Sequence, residues 1–121
     1  HGLNQCFFID DGDNNTIIGN YIGTDTTGTQ NWGNVDRGID LDDGAIGNRI
    51  GGILPDTGNV IAFNSDEGIR IQHFLSYDNA VLGNQIHSNG DLGIDLIGGT
   101  EDGDGVTDND VSDGDSGPNQ L

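Results

Sequence analysis

The chain has no lysine, no methionine, one cysteine, two prolines and no long apolar run. Each scarcity excludes something. Only Arg37, Arg49 and Arg70 oppose 21 acidic residues, giving a net charge of −18. Phosphate recognition rests on clustered Lys and Arg. The three arginines form no cluster, so neither nucleic acid nor an anionic membrane surface is an expected partner. With Cys6 alone, no internal disulfide is available. It reads as a buried thiol, a bond between chains being the other option. No apolar stretch approaches the roughly 20 residues that span a bilayer, so no membrane insertion is expected. The opening His1-Gly2-Leu3 is no signal peptide and reads as the start of a mature or excised piece. Alanine is scarce too, and with few helix formers almost no helix is expected.

What the chain has is turn chemistry. Glycine numbers 22 of 121 residues, well above the roughly 7% of average proteins. Asparagine and aspartate are abundant, and all three residue types dominate turns. Isoleucine, leucine and valine recur among them at regular places, which argues against disorder.

The recurrences form an internal repeat. Gly38-Ile39-Asp40-Leu41, Gly68-Ile69-Arg70-Ile71 and Gly93-Ile94-Asp95-Leu96 occupy one slot, with Phe7-Phe8-Ile9 as its first member. A second slot holds Asn15-Thr16-Ile17, Asn48-Arg49-Ile50 and Asn79-Ala80-Val81. A third holds Asn20-Tyr21-Ile22, Asn59-Val60-Ile61 and Asn84-Gln85-Ile86. Asn64 and Asn89 close two coils five positions further on, and Asp25 has the same offset in the first. Insertions fall at 24–37, 51–58 and 72–78, at a different place in each coil. The expected fold is all-β, a solenoid of three to four short coils over residues 1–97, followed by an acidic loop or cap over 98–121.

Side chains alternate faces along a strand. Phe7, Ile39, Ile69 and Ile94 then point inward, with Ile9, Leu41, Ile71 and Leu96 beside them. Ile17, Ile50 and Val81 form a second inward column, and Ile22, Ile61 and Ile86 a third. The outward column reads Phe8, Asp40, Arg70, Asp95, so Arg70 is expected to bridge Asp40 and Asp95 across coils. As a surface network it would contribute about 1 kcal/mol. Asn15, Asn20, Asn48, Asn59, Asn64, Asn79, Asn84 and Asn89 are read as structural corners. They would adopt left-handed dihedrals, bond local backbone and stack into ladders.

The strings Gly19-Asn20-Tyr21-Ile22-Gly23-Thr24-Asp25-Thr26-Thr27-Gly28, Asn48-Arg49-Ile50-Gly51-Gly52, Asn59-Val60-Ile61 and Gly93-Ile94-Asp95-Leu96, with the ending Asp113-Gly114-Asp115-Ser116-Gly117-Pro118-Asn119, resemble a known family. They are similar to the right-handed parallel β-helix repeats, pectate-lyase-like in fold, of large bacterial secreted and surface proteins. The resemblance covers nearly the whole chain. It implies a right-handed parallel β-helix and an extracellular or cell-surface setting. β-Helices host lyases, hydrolases, adhesins and passive stalks alike, so it leaves function open.

The acidic tail is the strongest local signal for chemistry. Asp102, Asp104, Asp108 and Asp110 alternate with small residues, and Asp113 and Asp115 complete this site or form another. Ca²⁺ takes six to eight oxygens from such a loop. The segment resembles the Asp-x-Asp-Gly-x-x-Asp-x-Asp loops of calcium-stabilised extracellular repeats, without the closing glutamate of an EF-hand. A solvated acidic tail is the competing reading. Asp10, Asp11 and Asp13, with Asp42 and Asp43 one coil on, are a second candidate cation site, or ordinary turn aspartates.

Asp40 and Asp95, two coils apart, have the spacing of a glycosidase carboxylate pair. Arg70 between them opposes the raised pKa that a general acid needs. Lyases of this fold use a basic residue beside calcium, for which Arg70 and His87 qualify by type only. His73 has no identifiable partner. No Ser-His-Asp, zinc or phosphate-loop pattern is present. The expected role is a structural or adhesive module, stabilised by calcium and completed end to end by neighbouring coils or subunits. A carbohydrate-binding or carbohydrate-cleaving β-helix is the alternative, with Tyr21, Trp32 and Tyr77 as its aromatic candidates.

Overall fold

The structure is a computed structural model that describes residues 7–97. Within them lie ten short strands and no helix. They are β1 (Phe7–Asp10), β2 (Thr16–Ile17), β3 (Tyr21–Ile22), β4 (Ile39–Asp42), β5 (Arg49–Gly51), β6 (Val60–Ala62), β7 (Ile69–Gln72), β8 (Ala80–Leu82), β9 (Gln85–His87) and β10 (Ile94–Ile97). Every pairing between them is parallel and joins each strand to the third one after it. Three sheets result: β1-β4-β7-β10, β2-β5-β8 and β3-β6-β9.

The observed registers are the columns that the repeats define. Phe7, Ile39, Ile69 and Ile94 are successive partners, as are Ile9, Leu41, Ile71 and Leu96. Ile17, Ile50 and Val81 align in the second sheet, and Ile22, Ile61 and Ile86 in the third. A one-residue slip would turn each strand's apolar set to the wrong face, so burial enforces this register. Ile39, Leu41, Ile50, Ile61 and Ile69 are wholly buried. Val81, Ile86 and Leu96 pack against that core but are only half-buried, and Ile94 is 43% exposed. The core is therefore best sealed at the central strands of the three sheets.

Two expectations about the corners need correction. The left-handed turns do not fall on the ladder asparagines, none of which has positive φ. They fall one residue earlier, at Asn14 (56°), Gly47 (69°) and Asp78 (55°), at Gly19 (68°) and Gly83 (63°), and at Phe63 (61°) and Ser88 (56°). The turn reverses the chain first, which leaves the next residue extended and able to aim its amide along the stack. The first-coil counterpart of Asn64 is Asn34, not Asp25: the Asn34 Nδ2 donates to Asn64 Oδ1 at 2.8 Å. The insertion over 24–37 loops out before that corner, so a count from Asn20 stops too early. Asp25 instead organises the insertion, accepting from Thr27 Oγ1 (2.7 Å), Gln30 N (3.2 Å) and Thr29 N (3.3 Å).

Close approach explains the glycine that opens the first-sheet repeat. A Cβ on Gly68 would lie 2.6 Å from the Gly93 carbonyl oxygen and 2.8 Å from Ile86 Cγ2. Gly38 meets Gly68 and Ile61 in the same way, at 2.7 and 2.8 Å. The corner leaves no room for any side chain.

Candidate functional site

Three polar ladders run along the stack. In the first, the Asn15 backbone N–H and Nδ2 both donate to Asn48 Oδ1, at 2.9 and 3.0 Å. Asn48 repeats this toward Asn79 Oδ1 at the same two distances. Asn20, Asn59 and Asn84 form the second ladder, and Asn34, Asn64 and Asn89 the third. The second amide hydrogen goes not to nearby backbone, as expected, but to a carbonyl of the preceding repeat: Asn48 Nδ2 to Gly12 O at 2.8 Å, and Asn59 Nδ2 to Ile17 O at 2.9 Å. Asn48, Asn59 and Asn64 are almost wholly buried. Burying an amide is tolerable only when its polar atoms are hydrogen-bonded, and the side-chain nitrogen and oxygen of all three are. Every asparagine-to-asparagine bond has one direction, with the earlier repeat donating and the later one accepting, and the Nδ2-to-carbonyl bonds run the other way.

A second polar feature lies on the outward column of the first sheet. Arg70 Nε donates to Asp40 Oδ1 at 3.0 Å and Nη2 to Asp40 Oδ2 at 2.7 Å, a bidentate pair. Burial alone would lower the Arg70 pKa. The hydrogen bond and charge of Asp40, with Glu67 and Asp42 further off, outweigh it and raise the pKa above the usual guanidinium value. Asp95 is the register partner of Arg70 on its other side. The column is not the exposed surface expected of it: Asp40 is 1% and Asp95 7% exposed. Asp40 sits in register between Phe8 and Arg70, and the guanidinium holds both its oxygens.

Arg37 gathers a third cluster. Its guanidinium contacts Asp36 at 2.7 Å, Asp66 at 3.2 Å and Glu67 at 2.7 Å. The contact from Nε to Glu67 is an ion pair without hydrogen-bond alignment. Asp36 and Asp66 are stacked, since the Asp66 N–H donates to the Asp36 carbonyl oxygen at 3.3 Å. Sequence reasoning missed this group because its members lie between strands. The signal was there in Asp36-Arg37-Gly38 and Asp66-Glu67-Gly68, which align immediately before the repeat glycine.

The remaining candidates are dispersed. Asp42 accepts from Gln72 Nε2 and from the Asp43 N–H, and Asp13 accepts the Ile46 N–H at 2.9 Å. Asp11 and Asp43 are left-handed turn residues at φ 50° and 52°. Among the described residues no three His, Cys, Asp or Glu side chains are gathered to hold a metal. Asp102, Asp104, Asp108, Asp110, Asp113 and Asp115 lie outside the described residues. His73 Nε2 is 3.7 Å from Asp43, and His87 packs edge-on against Phe63. Tyr21, Trp32 and Tyr77 are each about half exposed. Tyr21 borders an open groove of about 820 Å³, lined also by Ile53, Leu54, Pro55, Asp56, Val60 and Gln85.

Comparison with protein-family models, with curated proteins and with solved structures finds no match to this chain.

Proposed function

We propose that the chain is a structural or adhesive module of an extracellular or bacterial cell-surface protein, built as a right-handed parallel β-helix. One observation carries this reading: the three asparagine ladders use buried polar groups wholly for coil-to-coil bonding. A buried amide network invested in that way serves shape. The handedness follows from the near-universal right-handed crossover between parallel strands of one sheet. The edges of β8 and β9 are the natural points of attachment to further coils or subunits. With a net charge of −18, cations at the acidic loops would relieve self-repulsion. Calcium at the 98–121 aspartates is the cofactor we assign on their chemistry.

Thermal melts of the full chain with calcium and with EDTA test this. A ligand bound only by the folded state raises the Tm as the logarithm of its concentration once that exceeds the Kd. Calcium should raise the Tm by several degrees and EDTA should reverse it; superimposable melts overturn the calcium assignment. The groove beside Tyr21 is the observation that favours a carbohydrate-binding reading, since an exposed ring beside Gln85 and Asp56 suits a sugar. For the pair Asp40 and Asp95 as hydrolytic carboxylates, the bidentate Arg70 occupies both oxygens of Asp40. Release of reducing or unsaturated ends from polysaccharides would favour the enzymatic alternative over the structural one.

A further inference from the structure

Asparagine carries a chemical liability besides its hydrogen bonds, since its side-chain amide is thermolabile. The loss is intramolecular. The backbone nitrogen of the next residue attacks Cγ, and a side chain on that next residue obstructs the approach. The reaction is therefore fastest where glycine follows. Asn89-Gly90 is the one Asn-Gly pair in the 121 residues. Each of the other ladder asparagines precedes a residue with a side chain, such as Arg49, Val60 or Ser65.

The fold requires both members of the pair. Asn89 is a rung of the third ladder, where its Oδ1 accepts the Asn64 N–H at 3.1 Å and Asn64 Nδ2 at 2.9 Å. Gly90 is required by space, because a Cβ there would lie 2.1 Å from the Ser65 carbonyl oxygen. The same corner holds the reaction off. The Gly90 N–H donates to the Asn64 carbonyl oxygen at 2.8 Å, and Asn89 Nδ2 donates to Ile61 O at 3.1 Å. These contacts fix both the nitrogen that would attack and the amide it would attack. Ring closure needs Gly90 N to leave Asn64 and lose its proton, and Asn89 to leave its rung. Asn64 is almost wholly buried, but Asn89 is half-buried and Gly90 is exposed. Water and base therefore reach the pair once the corner opens.

We propose that Asn89-Gly90 is a self-modification site kept silent by the third ladder, whose conversion records opening of this corner irreversibly. Gly90 N gives its proton to solvent base and bonds to Asn89 Cγ. The Cγ–Nδ2 bond breaks, and the nitrogen takes up a proton and leaves as ammonia. Water then opens the five-membered imide. Opening at Cγ gives an aspartate at position 89, and opening at the main-chain carbonyl gives an isoaspartate. Nothing is oxidised or reduced. The aspartate keeps acceptor oxygens for Asn64 but has no hydrogen for Ile61 O. The isoaspartate lengthens the main chain by one carbon and so displaces Gly90 N from Asn64. Either product weakens the rung that had prevented it, and adds a negative charge to a chain already at −18.

The full chain, held in native buffer and in concentrated urea at the same mildly alkaline pH, tests this by peptide mass spectrometry with isoaspartate detection. In urea Asn89 should be the first asparagine converted. In native buffer its rate should fall by at least about tenfold, because a modification slower than reclosing tracks the population of the open form. Conversion as fast in native buffer as in urea would show that the rung gives no protection. Another asparagine converting first in urea would place the site elsewhere. Either result overturns the proposal. Asn89→Asp makes the aspartyl product directly and should melt below the wild type; an unchanged Tm overturns the claim that the product weakens the rung.

Discussion

Asn48 shows what a single residue does in this protein. Its side chain and N–H make five hydrogen bonds with three other parts of the chain while almost fully buried. Leaving a buried donor or acceptor unpaired costs about 1–3 kcal/mol. Asn48→Ala should therefore lose at least about 2 kcal/mol in denaturant melts. Asn15→Ala, at the exposed first rung, should lose much less. Equal small losses at both sites would contradict the role given to the ladders. Asp25 is a residue-scale case of another kind. The Thr27 hydroxyl, with the N–H groups of Gln30, Thr29 and Thr27, holds its pKa below the ordinary 3.8 against the opposing effect of burial. A depressed pKa means stability that is present above pH 3.8 and lost as pH falls through the folded value. Order in the 24–31 turn should thus fade below that pH, visible as faster exchange of the Thr29 and Gln30 amides, and Asp25→Asn should flatten the pH dependence.

At the scale of strands and corners, the alternation of apolar residues made the registers legible before any coordinates, because a slip of one would expose every isoleucine. The corners were less legible. The left-handed position is filled by Asn, Gly, Asp, Phe or Ser in turn, so no residue type marks it, and the invariant asparagine beside it drew the assignment one place too far. Asn34 was hidden by an insertion that precedes it, and the Arg37 cluster by its position between strands. The burial of Asp40 was not legible at all, since alternation gives a side chain's face and not what covers it. Two predictions follow from this packing. Gly68→Ala would force a methyl against a carbonyl, and overpacking of that kind costs about 1–3 kcal/mol. Arg70→Met would strip the guanidinium from buried Asp40, with a loss of about 3 kcal/mol. The double variant Asp40→Asn/Arg70→Met should recover part of that loss. Strict additivity in the double-mutant cycle would show that the pair is not coupled.

Among the described residues the three parallel sheets are best sealed at their central strands and less so at their outer ones. At one end Phe7, Ile9 and Ile17 line an open cavity of about 430 Å³, and at the other Val81, Ile86 and Ile94 are incompletely covered. Exposed apolar side chains such as these favour association, while a charge of −18 on every copy opposes it. Cations should decide the balance. Screening alone acts at any valence, whereas a calcium-loaded loop acts at low concentrations of that ion. Light scattering of the full chain, as calcium is raised at constant ionic strength, tests the central claim most directly. The account predicts a particle mass that grows with calcium and returns to the monomer on adding EDTA. A monodisperse monomer, unchanged by calcium or EDTA across the range, would contradict it.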